Sequence, residues 1–64
     1  MEEKYYNLYE VAKILKLAYM TIYRWVRKGK IPAYQVQRQY RVKHSELEKF
    51  IDSSKVKPYG NSKL

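Results

Sequence analysis

The chain has 64 residues, with fourteen Lys and Arg against six Asp and Glu, and a formal net charge of +8 at pH 7. That length allows one small domain with a modest core, near the lower limit of independent stability. The absence of cysteine excludes a disulfide framework and a Cys-based zinc site, the short apolar runs exclude a membrane span, and Met1-Glu2-Glu3-Lys4 is too charged for a secretory signal.

Residues 1–5 read as an N-terminal arm, and a first helix begins at Asn7. Asn7 can cap the first amides, Glu10 completes a capping box, and Tyr6 can staple onto Val11. Leu8, Val11, Ala12 and Leu15 then recur at i, i+3, i+4 and i+7, the stripe of an amphipathic helix that ends near Lys16. A second helix is spaced by Ile22, Trp25 and Val26 and runs from about Tyr19 to Lys28. Gly29 supplies its left-handed stop and Pro32 forbids a restart. Only Lys16, Leu17 and Ala18 separate the two helices, so the connection is a tight turn with Leu17 as its apolar plug. Two short helices joined this way make a helix-turn-helix.

After Pro32 the period changes to two. Tyr34, Val36, Tyr40 and Val42 alternate with polar residues across a three-residue connection, Gln37-Arg38-Gln39, as a short β-hairpin or wing. A third helix starts near His44 or Ser45, with Ser45 and Glu48 as a second capping box and Leu47, Phe50 and Ile51 turned inward. From Ser53 onward no periodicity remains, so residues 53–64 read as a disordered basic tail. The fold class expected is mainly α with a small β-hairpin: a winged helix-turn-helix over residues 6–52, in the order helix, helix, hairpin, helix. Its core should contain Leu8, Val11, Ala12, Leu15, Leu17, Ile22, Trp25, Val26, Ile31, Val36, Val42, Leu47, Phe50 and Ile51.

Charge is segregated within this frame. Between Glu10 and Glu46 there is no acidic residue and there are nine basic ones. Such a local positive field is the footprint of a nucleic-acid partner, whereas a face that merely kept the domain soluble would carry both signs. With Ile22, Trp25 and Val26 inward, Met20, Arg24 and Arg27 point outward, flanked by Tyr19, Thr21, Tyr23 and Lys28. That face suits the major groove of duplex DNA, about 12 Å wide. Arg24 is the candidate for direct readout of a guanine, Met20 or the Thr21 methyl for contact with thymine, and Tyr23, Arg27 and Lys28 for phosphates. At the hairpin tip Gln37, Arg38 and Gln39 suit an adjacent minor groove, with Arg41 in support on the backbone; a polar turn projecting into water is the alternative.

The eight tyrosines are many for this length, and Tyr9 and Tyr59 have no assigned partner. They could stack on bases, but the sequence offers no sheet platform for an RNA or single-strand reader. For catalysis there is little material: one histidine, His44, reads as a helix-start residue, Gly29 and Gly60 make no phosphate loop, and Glu46, Glu48 and Asp52 read as a solvated helix face. Neither an enzyme nor a cofactor nor a metal is expected.

The run Asn7-Leu8-Tyr9-Glu10-Val11-Ala12-Lys13-Ile14-Leu15 resembles the T-x-x-E-V-A-x-x-L opening of the excisionase-type branch of the MerR-like winged-helix superfamily. Thr21-Ile22-Tyr23-Arg24-Trp25-Val26-Arg27-Lys28-Gly29-Lys30-Ile31-Pro32-Ala33 is similar to its T-V-Y-R-W-I-R-x-G-x-L-P-A. Arg38 with Tyr40-Arg41-Val42 resembles its wing, and residues 44–51 its closing helix. The chain departs where the usual Gly-Val-Ser is Lys16-Leu17-Ala18, which removes a glycine and a serine cap, a loss on the order of 1 kcal/mol. Gln37 also stands where glycine is common. The resemblance implies a recognition helix in the major groove, a wing in the minor groove, and cooperative self-association on double-stranded DNA. It suggests an excisionase, or recombination directionality factor, of a mobile element, acting with a recombinase partner. The alternatives are a small transcriptional regulator and the detached N-terminal DNA-binding domain of a serine recombinase or transposase. The cysteine-free composition, the charged N-terminus and the short apolar runs lead to the expectation of a cytoplasmic protein away from any membrane.

Overall fold

The computed structural model describes residues 3–54. Their order is β1 (Tyr5–Tyr6), α1 (Leu8–Leu15), α2 (Tyr19–Arg27), β2 (Tyr34–Val36), β3 (Gln39–Lys43) and α3 (His44–Ser53). The mainly helical winged helix-turn-helix is therefore present, with three antiparallel strands ordered β1-β3-β2. The tail expected over residues 53–64, with Tyr59, falls from residue 55 onward outside the described residues.

Both ends of α1 follow from local chemistry. The Asn7 side chain accepts from the Glu10 amide, and the Glu10 carboxylate accepts from the Asn7 amide, each at 2.8 Å. At the other end Lys16 takes the left-handed conformation at φ 58. Its amide donates to the Lys13 carbonyl at 3.2 Å, and the Leu17 amide to Ala12 at 2.9 Å. These are the paired bonds of a Schellman ending, built on lysine where glycine is usual. The N-cap of α2, Ala18, makes no side-chain hydrogen bond. At its C-terminus Gly29 lies at φ 82, with Gly29 bonded to Val26 at 3.0 Å and Lys30 to Trp25 at 2.8 Å. That is a second Schellman ending, with glycine in place.

The buried core comprises Leu8, Val11, Ala12, Ile22, Val26, Ile31, Val42 and Leu47. Leu15, Trp25 and Phe50 pack against it half-buried. Leu17, Val36 and Ile51, expected inside, are exposed. Leu17 is not a plug: it follows the left-handed residue and lines an apolar groove with Leu15, Trp25, Phe50 and Ile51. For Val36 the cause is register. The hairpin turn has two residues, Gln37 and Arg38, both left-handed at φ 50 and 68, and Gln39 belongs to β3, opposite Val36. Positive φ at both central positions defines a type I′ turn, which suits the twist of a hairpin. A two-residue connection sets Tyr34 opposite Arg41 and Gln35 opposite Tyr40. Side chains alternate with a period of two, so this register moves Tyr34 and Val36 to the outer face and leaves Tyr40 and Val42 facing the helices.

β1 is the element the periodicity does not anticipate. Tyr5 pairs with Lys43 and Tyr6 with Val42, and the His44 amide continues the ladder onto the Lys4 carbonyl at 2.8 Å. The Tyr6 hydroxyl and His44 Nδ1 share a 3.0 Å hydrogen bond. These contacts also replace the second capping box. α3 starts at His44, the Ser45 amide donates to the Glu3 carboxylate at 2.9 Å, and Glu48 pairs with His44 Nε2 at 3.1 Å.

Candidate nucleic-acid interface

α2 presents its polar side as the sequence requires. Met20, Arg24, Arg27 and Lys28 are exposed, and Tyr19, Thr21 and Tyr23 are half-buried at the flanks. Ile22 and Val26 anchor the opposite side in the core, which sets the direction of the arginines. Arg24 and Arg27 occupy the last turns of the helix, where cations interact favourably with its C-terminal partial charge.

The wing stands beside this helix, and a cleft of about 500 Å³ separates them. Of the residues singled out from sequence, Tyr19, Tyr23, Arg27, Arg38, Gln39 and Arg41 line the cleft. Met20, Thr21, Arg24, Lys28 and Gln37 do not. Gln37 and Arg38 form the exposed wing tip. Arg41 is half-buried, and Gln39 accepts a 2.9 Å hydrogen bond from its guanidinium, so these two side chains brace each other along β3.

Four tyrosines form a continuous ladder through the cleft. Tyr9 stacks on Tyr19 with ring centroids 4.3 Å apart, Tyr19 lies 6.2 Å from Tyr23, and Tyr23 meets Tyr40 edge-on at 6.1 Å. The ladder couples the start of α1 to α2 and α2 to the wing, so the separation of helix and hairpin is held by ring packing. Tyr40, followed by Tyr23, holds the Arg27 guanidinium above its ordinary pKa. The cleft thus offers hydroxyl and guanidinium donors, and none of its lining residues is acidic. Such donors without a carboxylate beside them suit an anion.

Sequence reasoning missed Asn7, Leu8, Tyr9, Gln35 and Tyr40 as members of this cleft. Alternation along the strand explains Tyr40 by packing against the core, and its edge toward Tyr23 becomes visible only when the hairpin folds back. For Tyr9 one local signal exists: it lies one residue outside the apolar stripe on the first turn of α1, where an aromatic ring on a polar face needs a partner.

The chain matches the family of the helix-turn-helix domain over residues 5–55. It is similar to the uncharacterized protein YvgK of Bacillus subtilis (strain 168), with 41% identity over 49 residues, which are 77% of this chain and 16% of that protein. It is also similar to "Putative DNA-binding protein Rv0500A" of Mycobacterium tuberculosis (strain ATCC 25618 / H37Rv), with 36% identity over 45 residues, 70% of this chain and 58% of that one. The chain therefore spans less than two thirds of these relatives. No solved structure matches it.

Proposed function

Because the chain belongs to the helix-turn-helix domain family, we propose that it binds double-stranded DNA sequence-specifically, with α2 in the major groove and the wing tip in the minor groove. The observation that carries this reading is the acid-free cleft, with Arg27 of α2 on one side and Arg38 and Arg41 of the wing on the other. The name of the Mycobacterium relative supports DNA as the ligand. In this reading Arg24 forms paired hydrogen bonds to a guanine, and Met20 or Thr21 touches a thymine methyl. Tyr23, Arg27 and Lys28 hold phosphates and set the register. Arg38 follows the minor groove while Arg41, braced by Gln39, supports the backbone contact.

The biological role we assign is that of an excisionase, or recombination directionality factor, which bends DNA at the end of a mobile element, binds cooperatively and works beside a recombinase. What supports it is the resemblance of four motifs in register. The YvgK match, confined to 16% of that protein, favours as second reading a DNA-addressing module within a larger protein.

Selection of bound genomic fragments supplies the cognate duplex for the test. In fluorescence titrations Arg24→Ala should weaken cognate binding by about 1–3 kcal/mol and relax preference at one base pair. Equal weakening on cognate and random duplex would reject Arg24 as a reader. A circular-permutation gel shift on the same duplex should show bending, and straight DNA would remove the architectural role while leaving DNA binding intact.

A further inference from the structure

The outer face of the sheet lies away from the core and meets the cleft between helix and wing only along Gln39 and Arg41. In register, Tyr5 of β1 lies opposite Lys43, and Tyr34 of β2 lies opposite Arg41. The central strand therefore carries two cations between two flanking tyrosines. Tyr5 is 47% exposed and Tyr34 46%. The Lys43 ammonium sits 5.1 Å from the centre of the Tyr34 ring. Tyr34, followed by Tyr5, raises its pKa, so the charge on this face is firmly held. Strand spacing of about 4.8 Å and a rise of about 3.4 Å per residue place the two tyrosine Cα atoms roughly 12 Å apart. Glu3, the one carboxylate that acts on Lys43, is engaged with the Ser45 amide at the start of α3.

We propose that this face is a platform for single-stranded DNA, on which Tyr5 and Tyr34 each stack a base while Lys43 and Arg41 neutralise the intervening phosphates. Exposed rings alternating with cations on an open sheet are what an unpaired strand requires. A duplex keeps its base faces stacked internally and cannot use the rings. An apolar protein partner would not call for two cations at the centre of the contact. Arg41 is shared with the edge of the cleft, but Tyr5, Tyr34 and Lys43 take no part in it, so the site does not rest on the duplex interface proposed above and the tyrosine variants test it by itself.

The experiment is fluorescence anisotropy of a labelled oligothymidylate with the full chain, beside the same titration on the selected duplex. Tyr5→Leu and Tyr34→Leu should each weaken oligothymidylate binding about 5- to 150-fold and leave duplex binding within about twofold, which is below any single stacking effect. Tyr34→Phe keeps the ring and should retain single-strand binding, which separates stacking from a general loss of fold; circular dichroism checks the fold of every variant. Arg24→Ala should do the reverse, losing duplex and keeping the single strand. Absence of oligothymidylate binding by the unaltered chain, or equal binding by the leucine variants, would overturn the proposal. A parallel fall on the duplex would overturn it as well, by assigning the face to the duplex interface. Failure of the duplex titration alone would count against the duplex reading only.

Discussion

At Lys16 a side chain occupies backbone space that favours glycine. Left-handed geometry costs a residue with a Cβ roughly 1–2 kcal/mol, and the position is enforced because both bonds ending α1 depend on it. Lys16→Gly relieves that cost but adds freedom to the unfolded chain, worth roughly 0.5–1 kcal/mol in the other direction. The expected balance is a gain of about 1 kcal/mol, which for a domain of this size raises Tm by roughly 4–8 °C. Thermal denaturation followed by circular dichroism measures it. A lower Tm would show that the Lys16 side chain makes contacts that outweigh its strained backbone. Local chemistry of this kind was the most legible part of the chain: Asn7 with Glu10, and Gly29 before Pro32, act within one turn of backbone, and their partners are sequence neighbours. Ser45 shows the limit, since the group bonded to its amide is Glu3, distant in sequence and supplied by tertiary structure.

Among the elements, the hairpin separates what alternation can reveal from what it cannot. Tyr34 and Val36 are as apolar as Tyr40 and Val42, so either register satisfies the pattern. The turn decides, and Gln37-Arg38 adopts a type I′ geometry without the Asn or Gly that would announce it. The wing therefore combines a strained tip with the cation proposed to follow the minor groove. Arg38→Gly should separate the two: relief of strain stabilises the domain by about 1 kcal/mol, while loss of the guanidinium weakens cognate duplex binding. A melt and a titration on the same variant read both effects, and unchanged affinity would remove Arg38 from the interface. β1 was illegible for a different reason. Two residues carry no period, and their pairing spans nearly the whole domain. The tyrosine ladder was hidden likewise, because its rings come from α1, α2 and β3.

On the scale of the whole molecule, the described charge pattern resolves into a helix face, a cleft and a sheet face that share one sign. Binding to duplex DNA should therefore depend steeply on salt. With about four phosphates neutralised, affinity should fall on the order of 100-fold between 50 and 200 mM monovalent salt. A flat response in the same titration would point to a protein partner. The strand formed by Tyr5 and Tyr6 gives the molecule a further property. Its tyrosine hydroxyl, its backbone ladder and the neighbouring Glu3 carboxylate all grip the first turn of α3. Residues 3–6 are thus a clasp that fastens the closing helix, and an affinity handle or fused partner placed close before them would be competing with that fastening.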